Sequence, residues 1–420
     1  MFRVCYGALL SAALLPAVAV AAPAAQVTNG NDHGPGSLRA ALESGATNIV
    51  IKESVGTIEI TTTPLQYTGT EALKITGTGQ TIDGARLIDN LAPIFEVTLG
   101  ADLTISNLSF DGGGGYSRTG NQGGGKGIFV NVPLAREGMV TVRLTRVSVS
   151  GVGNHGVHVS DCTLADDCGG GQGGGGAGST ASVDVRLNDV LIDGVGKGKA
   201  DADGVRVDER GAGNIFFSAT NSTFINVGAD GVELDEGDMG DVVLNVRNST
   251  FDRNGDYCVG WDIDGIDNSC NDDGEADVDD GFDVDEAGFG SIVGKINNVF
   301  VTNNYDEGLD FDEEDAGGFD VSFTSVYAAG NSDEGIKLSE EDAGNIRAAL
   351  RAVTLENNNG DSEETEIESE NSGFVTVSVT GSTIAGELKV EQEEAPPRGA
   401  LKVRGSTVED YDLDDTIDRI

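Results

Sequence analysis

"YDEGLDFDEEDAGGFD", residues 305–320, places eight carboxylates among sixteen residues and alternates them with large apolar side chains. Leu309 and Phe311 alternate with Asp310 and Asp312, and an alternation of period two predicts a short β-strand with one buried face. Near-copies of the stretch are ADGVELDEGDMGD (229–241), DDGFDVDEAGFG (279–290) and SDEGIKLSEEDAGN (332–345). The stretch is therefore one unit of a repeat.

The copies follow one another at a regular spacing. The glycine before each alternating run recurs every 27 residues, apart from one interval of 50; these glycines are Gly204, Gly231, Gly281, Gly308 and Gly335. Short strands, glycine turns and a strict period without a helical pattern predict an all-β chain, a parallel β-solenoid with about 27 residues per coil. Asn221, Asn248 and Asn298 share one position of the repeat, which predicts an asparagine ladder at a stacked turn. A β-sandwich is the alternative, and the strict period argues against it.

The chain begins with an apolar segment that is typical of export. MFRVCYGALLSAALLPAVAVAAPAAQ has a basic Arg3, an apolar run and small residues near Ala19–Ala24, which predicts a signal peptide over residues 1–24. A membrane anchor is the alternative, but the apolar run is short for a span. We therefore expect a secreted, periplasmic or extracellular protein with no membrane span in the mature chain. Residues 25–420 are expected to form one β-helix domain, with inserted loops at about 161–180 and 264–280.

Four cysteines lie outside the predicted signal peptide. In an oxidising compartment they favour two short-range disulfides, Cys162–Cys168 and Cys258–Cys270, each associated with an inserted loop. A zinc site is the less favoured interpretation, since the spacings are not those of zinc ligands. In the 50-residue interval, Cys258 stands at the position where the repeat would place a glycine. Asp262 would then occupy the same repeat position as Asp235 and Asp285, in a row of acidic residues that continues through the interval.

The N-terminal region resembles a known class of proteins. GPGSLRAALESGATNIVI (34–51), GTIEIT (56–61) and LKITGTGQTIDG (73–84) resemble the N-terminal cap and first coils of bacterial exported right-handed parallel β-helix proteins. This is the pectate-lyase-like superfamily, which includes polymorphic outer-membrane passengers. The resemblance implies a right-handed parallel β-helix with a short N-terminal capping helix, in which Ser37 is the N-cap and Leu38, Ala41 and Leu42 lie on one face. The active-site signatures of pectate lyases and polygalacturonases are missing, and one fold carries many functions.

The charge of the chain limits its partners. With 71 acidic and 26 basic residues, the formal net charge is −45. Direct binding of DNA, RNA or anionic lipid requires a basic surface, so we expect no nucleic-acid partner. Cations, and neutral or cation-bridged polymers, are the expected partners, above all a polysaccharide or a cell-surface glycan.

Stacked coils would bring the acidic residues into rows. Equivalent residues of adjacent coils lie about 4.8 Å apart, where neighbouring unit charges repel by roughly 1 kcal/mol in water. Oxygen-ligated Ca²⁺ offsets such repulsion and suits irregular carboxylate cages. The candidate calcium ligands are Asp208, Asp235, Asp262, Asp264, Asp285 and Asp312, with Glu209, Glu236, Glu286 and Glu313. The alternative is a solvated acidic face with diffuse counter-ions.

One part of the repeat combines acidic residues with histidine and arginine. His158, Arg206, Asp230 and Glu233 are the candidate catalytic residues, because a base beside a carboxylate-held calcium would suit β-elimination on a uronic-acid polymer. Two outward carboxylates could serve instead as the acid and base of a hydrolase. The alternative is that these are ordinary exposed side chains.

Two classes of function remain open. The first is a non-catalytic, calcium-binding surface or matrix protein that binds glycans. The second is a calcium-dependent polysaccharide lyase or hydrolase. Uninterrupted acidic columns and the lack of known catalytic signatures favour the first.

Overall fold

The computed structural model describes residues 24–87, 92–114, 125–164, 168, 175–259, 278–358, 363–371, 373–393 and 398–420. Within these ranges the chain forms 33 strands and one short helix, and the strands join into one parallel sheet. The predicted all-β parallel β-helix is therefore confirmed. The predicted signal peptide lies outside the described residues, apart from Ala24. Among the residues described, no helix has the length and apolar character needed to cross a membrane.

The strands, in chain order, are β1 (Ala24–Val27), β2 (Asn48–Ile51), β3 (Ile58–Glu59), β4 (Leu65–Tyr67), β5 (Leu73–Asp83), β6 (Phe95–Val97), β7 (Leu103–Asp111), β8 (Ile128–Asn131), β9 (Glu137–Ser150), β10 (Val157–Ser160), β11 (Thr180–Asn188), β12 (Leu191–Asp193), β13 (Val205–Glu209), β14 (Ile215–Thr220), β15 (Thr223–Ile225), β16 (Val232–Glu236) and β17 (Val242–Arg247). They continue with β18 (Thr250–Asp252), β19 (Phe282–Gly288), β20 (Ile292–Asn297), β21 (Phe300–Thr302), β22 (Leu309–Asp315), β23 (Gly318–Thr324), β24 (Tyr327–Ala329), β25 (Ile336–Glu340), β26 (Asn345–Arg351), β27 (Thr354–Glu356), β28 (Glu363–Ser369), β29 (Val375–Thr380), β30 (Thr383–Gln392), β31 (Gly399–Arg404), β32 (Thr407–Leu413) and β33 (Ile417–Arg419).

Each complete coil contributes to three faces, which follow one another along the chain. Face A contains β4, β6, β8, β10, β13, β16, β19, β22, β25 and β28. Face B contains β1, β2, β11, β14, β17, β20, β23, β26, β29, β31 and β33, with parts of β5, β7 and β9. Face C contains β3, β12, β15, β18, β21, β24 and β27, with parts of the longer strands. The coil length agrees with the sequence period, since Arg206 pairs with Glu233, and Asp283 with Asp310, 27 residues further on.

The core fills the inside of the coils. Apolar residues at alternate positions, such as Val205 and Val207, are fully buried, and one continuous apolar cluster extends from Val27 to Ile417. Stacking of equivalent positions brings Phe224 and Phe251 together, with ring centroids 4.9 Å apart, and Phe282 of face A packs against Phe251 at 5.3 Å. Burial of these alternating side chains is the main force that holds the coils in register.

The predicted asparagine ladder is present at the corner between faces B and C. Asn248 Nδ2 donates to Asn221 Oδ1 at 3.2 Å, and Asn298 Nδ2 donates to Asn248 Oδ1 at 3.0 Å. All three residues have φ near 52°, a left-handed conformation in which asparagine is favoured. A second ladder, at the corner between faces C and A, is buried and comprises Asn254, Asn304, Asn331 and Asn358.

A short helix, α1 (Leu38–Glu43), precedes the regular coils. The Ser37 side chain accepts a hydrogen bond from the Ala40 N–H at 3.1 Å, as an N-cap does. Leu38, Ala41 and Leu42 are buried in the apolar cluster. The helix is where the sequence placed it, and its role in closing the end of the solenoid stays a prediction.

The 50-residue interval differs from the expected arrangement. Asp235 pairs directly with Asp285, so the expected position of Asp262 between them in the acidic column is wrong. The added residues lie within one coil, between the face-C strand β18 and the face-A strand β19. Asp262 and Asp264 themselves lie outside the described residues. The period alone could not separate an extra coil from a long loop, because both add similar numbers of residues.

The two inserted loops also differ in their position. The first follows face-A strand β10, whereas the second precedes face-A strand β19. They therefore join face A at opposite edges. The Cys162–Cys168 disulfide is present, with the Cα atoms 6.2 Å apart. Cys270, the predicted partner of Cys258, lies outside the described residues.

Candidate functional site

On part of face A the outward side is buried as well as the inward side. On β13 and β16 all five residues of each strand are buried, although their outward positions are charged. Arg206 and Asp208 face outward on β13, while Val205 and Val207 face the core. Ionised groups lose hydration when they are buried, so each must find a partner or change its protonation.

Near the loop that the Cys162–Cys168 disulfide closes, face A has a dense set of ion pairs around Arg206. Its guanidinium donates to Asp208 Oδ1 at 2.7 Å, to Asp203 Oδ2 at 3.3 Å and to the Cys168 carbonyl at 2.7 Å. It also pairs with Glu233. The contact with Cys168 brings the disulfide-closed loop over the face. Arg210 pairs in turn with Asp235, so the carboxylates near this loop have basic partners.

A hydrogen-bonded series of polar groups lies beside Arg206. Lys126 Nζ lies 2.6 Å from His158 Nδ1, and His158 Nε2 lies 2.7 Å from Asp208 Oδ2. Nδ1 therefore accepts from the ammonium, and the Nε2–H donates to the carboxylate. Burial and the nearby Lys126 lower the pKa of His158 to about 4, so the imidazole is neutral at pH 7. Burial raises the pKa of Asp208, but Arg206 and His158 outweigh it and hold that pKa below its usual range.

The second histidine of this region is also engaged. The Asp203 N–H donates to His155 Nδ1 at 2.9 Å, and the two imidazole rings have centroids 4.6 Å apart. His155 and His158 are each 1% exposed, so the alternative that His158 is an ordinary exposed side chain is wrong. Burial and the proximity of His158 lower the pKa of His155 well below its usual value.

The middle of face A has a different balance of charge. The oxygens of Glu233, Asp283 and Asp285 approach within 4.8 Å of one another, and so do those of Asp280, Glu307 and Asp310. Oδ1 of Asp280, of Asp310 and of Asp312 is buried without a hydrogen-bond partner in the described part of the chain. An orphaned buried oxygen costs about 1–3 kcal/mol, and more if it is charged. These oxygens fit the ligand set of a hard cation.

Burial, and the like charge of neighbouring carboxylates, raise the pKa values of these central carboxyls. Burial raises the pKa of Asp285 to about 7, with a further contribution from Asp235. The pKa of Asp312 also rises to about 7, because burial and the nearby Asp285 outweigh the attraction of Lys337. The pKa of Asp283 lies well above its usual value, through burial and the carboxylate of Asp285. Bound cations would reverse these shifts by favouring the ionised form.

A basic residue ends the central group on its other side. Lys337 Nζ lies 3.1 Å from Glu307 Oε1 and 3.0 Å from Asp310 Oδ2. One strand later the acidic column ends at Ser339, which pairs with Asp312. The set of carboxylates between Arg206 and Lys337 therefore has a basic side chain at each end and few basic side chains near its centre. We call this group the central carboxylates; it consists of Asp230, Glu233, Asp280, Asp283, Asp285, Glu307, Asp310 and Asp312.

The glutamates expected to share this site lie elsewhere. Glu209, Glu236, Glu286 and Glu313 follow the outward aspartates by one residue, so they point into the solenoid and are fully buried. Glu236 Oε1 accepts from the Gly240 N–H at 2.9 Å, and Glu286 Oε1 from the Gly290 N–H at 3.1 Å. They form a separate inner row at the corner between faces A and B. Their assignment as calcium ligands stays a prediction, at a site distinct from the outer one.

The candidate catalytic residues are close together. Arg206 contacts Glu233, His158 reaches Arg206 through Asp208, and the Asp230 N–H donates to Asp203 Oδ1 at 3.2 Å. Sequence reasoning did not assign Lys126 to the site, because it lies 32 residues before His158 in a glycine-rich stretch with no strand pattern. His158 pairs with Phe129 of the preceding coil, so counting one coil back from His158 leads to within three residues of Lys126 and is the signal that could have revealed it.

Comparisons with known proteins give a likeness of architecture. No family model matches the chain, and no curated protein matches it. Among solved structures, the A-module of the mannuronan C-5 epimerase AlgE6 from Azotobacter vinelandii is similar at 12% identity, with 91% of this chain and 93% of that chain covered and a TM-score of 0.43. PfbA, a surface adhesin of Streptococcus pneumoniae, is similar at 11% identity, with 91% and 90% covered and a TM-score of 0.40.

A third similar structure is the pectate lyase Pel9A, at 13% identity, with 86% of this chain and 78% of that chain covered and a TM-score of 0.34. Likenesses at this level concern the architecture of the chain and carry no argument about its activity.

Proposed function

We propose that the chain is an exported, calcium-binding parallel β-helix protein that binds a polysaccharide or cell-surface glycan. The observation that carries the calcium part is the set of orphaned, buried oxygens among the central carboxylates. Asp280 and Asp310 each have one such oxygen. Oxygens of these two residues and of Glu307 converge within 4.8 Å, and among the described residues the basic side chain paired with them is Lys337. Calcium accepts irregular sets of carboxylate oxygens and would replace the lost hydration.

Titration calorimetry with calcium tests whether the central carboxylates bind this cation. The chain with Asp283→Asn and Asp310→Asn should bind calcium about tenfold more weakly than the natural chain, or lose one ion, because carboxylate count sets affinity. The matched control carries Asp241→Asn and Asp320→Asn, which remove two exposed carboxylates outside the central group. Equal binding by the two double variants would contradict a site at the central carboxylates.

The part of the proposal that concerns glycan binding rests on the resemblance of the N-terminal coils to exported β-helix proteins. Size-exclusion chromatography with neutral and uronic polysaccharides, with calcium and with chelator, tests it. Co-elution with an uncut polymer is the expected result. If no polymer of the panel shifts the elution, the glycan part fails while the calcium part is unaffected.

One observation favours a second candidate, a calcium-dependent polysaccharide lyase or hydrolase. Lys126, His158 and Asp208 form a hydrogen-bonded series beside Arg206, an arrangement that could position a base. Both ring nitrogens of His158 are already engaged and the side chain is buried, so this candidate ranks second. Shortening of a polymer only with calcium, and its loss in His158→Ala, would move the enzyme to first place.

A further inference from the structure

Face B carries a strip whose charge is opposite to that of the whole protein. Two adjacent outward rows run along its strands from β2 to β31. One row contains Asn48, Lys74, Thr104, Arg143, Arg186, Ser218, Asn245, Lys295, Ser322, Ala349, Ser378 and Lys402. The other contains Val50, Thr76, Ser106, Thr145, Asn188, Thr220, Arg247, Asn297, Thr324, Arg351, Thr380 and Arg404. We call these two rows the basic strip.

The composition of the basic strip reverses that of the chain. The chain has 71 acidic and 26 basic residues, yet these 24 described positions hold eight basic residues and no acidic one. Fourteen of the remaining positions are serine, threonine or asparagine. Seven of the eight basic side chains are exposed; Lys402 is half-buried. A basic strip on a strongly acidic protein is a distinct electrostatic feature.

Few of the basic side chains of the strip are paired with a nearby carboxylate. Arg186 pairs with Asp184 at 2.6 Å, from the neighbouring row. Arg247 Nε donates to the Thr220 hydroxyl at 3.1 Å. Asp320, also in the neighbouring row, pairs with Arg347 and not with a member of the strip. Among the described residues, the other basic side chains of the strip form no ion pair, and they lie among hydroxyl and amide groups.

The geometry of the strip suits one thin, extended chain. Two rows lie about 7 Å apart and twelve coils extend roughly 50 Å along the axis. Salt limits the reach of each charge to about 8 Å at physiological ionic strength. A thin polymer lying on the strip therefore stays near its cations, whereas a wide duplex or a membrane would also meet the acidic corner that includes Asp238 and Asp241.

The other side of the strip offers a polar, concave surface. The exposed asparagine ladder of Asn221, Asn248 and Asn298 lies along this corner. In the earlier coils a groove of about 520 Å³ opens at the same corner, lined in part by Asn107, Arg146, Ser148 and Asp189. Volumes of this size accommodate small ligands or one unit of a polymer.

We infer that the basic strip binds a linear anionic polysaccharide, with carboxylate or sulfate groups on the cations and sugar hydroxyls on the Ser, Thr and Asn side chains. The inference takes the glycan partner of the proposed function and places it on a second face, where contact needs no calcium. The central carboxylates would serve the cation, and the basic strip the polymer.

Fluorescence anisotropy with a labelled uronic-acid oligosaccharide tests the inference on the full chain in chelator. Arg247→Ser, Lys295→Ser and Arg351→Ser together should weaken binding by about tenfold, since three exposed charge pairs with the polymer are lost and each contributes modestly. Serine already occupies the strip at Ser218 and Ser322, so the fold tolerates it there. The matched control carries Lys52→Ser, Arg86→Ser and Arg398→Ser, which change the charge equally outside the strip, and it should bind like the natural chain.

Each outcome separates this inference from the proposed function. Equal weakening by the two triple variants, or no binding in chelator, overturns the inference. Binding that appears only with calcium and is lost in Asp283→Asn with Asp310→Asn supports the proposed function and also overturns the inference. A neutral glucan of the same length should not bind. A single-stranded oligonucleotide that binds more tightly than the uronic-acid and sulfated oligosaccharides would overturn the assignment to polysaccharide.

Discussion

Asp32 accepts hydrogen bonds from several groups around the N-terminal coils. Arg39 Nε donates to its Oδ1 at 2.9 Å, while the Thr61 N–H and the Thr62 hydroxyl donate to its Oδ2 at 3.0 Å each. Burial raises the pKa of Asp32, but the hydrogen bonds from Arg39 and Thr61 outweigh it and leave the pKa lowered. One carboxylate therefore connects α1 to the chain after β3.

Asp32→Asn should lower the free energy of unfolding at pH 7 by about 1–3 kcal/mol, because it removes charge-assisted hydrogen bonds at a nearly buried site. A lowered folded pKa means that this contribution is present above the unfolded value of 3.8 and is lost as the pH falls through the folded value. Urea denaturation at pH 7 and at pH 3 measures it.

Glu43→Gln, an exposed change on α1, is the control and should leave the urea midpoint almost unchanged. An equal difference between Asp32→Asn and the natural chain at both pH values would contradict the assigned role of the carboxylate.

At the scale of elements, equivalent side chains of stacked strands form rows. Two rows that are one residue apart along the strand have different environments. Asp312 faces outward toward the central carboxylates, and Glu313 faces inward with both carboxyl oxygens unpartnered among the described residues. Burial, with the nearby Glu286, raises the pKa of Glu313 to about 10. The inner row thus favours neutral carboxyl groups at pH 7.

Glu313→Gln tests the protonation of the inner row. A raised folded pKa contributes stability that is fully present below the unfolded value of 4.5 and is lost as the pH rises through about 10. Between pH 6 and pH 10 the natural chain should therefore lose more stability than Glu313→Gln. Denaturation in chelator across this range measures the difference without competition from bound cations.

Glu393→Gln, outside the inner row, serves as the control and should follow the natural chain. Parallel pH profiles for the natural chain and Glu313→Gln would show that Glu313 is ionised throughout this range.

The buried asparagine ladder gives a second test at this scale. Asn304 Nδ2 donates to Asn331 Oδ1 at 2.9 Å, and its own Oδ1 accepts from Asn254 Nδ2 at 3.0 Å. Asn304→Ala leaves partners on both neighbouring coils unsatisfied and should cost about 2–4 kcal/mol. Asn248→Gly, in the exposed ladder, keeps the left-handed backbone and should cost less than about 1 kcal/mol. Similar losses of unfolding free energy in the two variants would contradict the distinction between the ladders.

At the scale of the whole molecule, charge is divided between faces. Among the described residues, the central carboxylates and the inner glutamate row lie on face A and at its corner with face B, while the basic strip lies on face B. Self-repulsion at a net charge of −45 destabilises the compact state and is screened by salt. Calcium at the central carboxylates would act at much lower concentration than a monovalent salt, since it binds a defined set of oxygens.

Calorimetry of the full chain tests this division. Calcium at millimolar concentration should raise the Tm by several degrees, and Asp283→Asn with Asp310→Asn should remove most of that rise. Sodium chloride at equal ionic strength should raise the Tm less, and by the same amount in both proteins. Equal shifts with calcium and with sodium would indicate diffuse counter-ions, the alternative considered from the sequence.

Part of this organisation could be predicted from the sequence because it depends on short-range patterns. The alternation of Leu309 and Phe311 with aspartates, the 27-residue period and the Asn221 ladder predict the solenoid, since coils repeat the same local contacts. The N-cap at Ser37 is local in the same way. The candidate catalytic residues were also near one another, because they share neighbouring coils.

The remaining features depend on contacts that only the folded chain defines. Whether the 50-residue interval held a coil or a loop was decided by the direct pairing of Asp235 with Asp285. The burial of His158 depends on groups from separate coils, among them Lys126 and Asp208. The basic strip is dispersed over residues 48–404 and becomes continuous only when strands stack. The sequence by itself therefore determined the repeat and its architecture, while the tertiary structure decided which charges meet, because charges interact through space rather than along the chain.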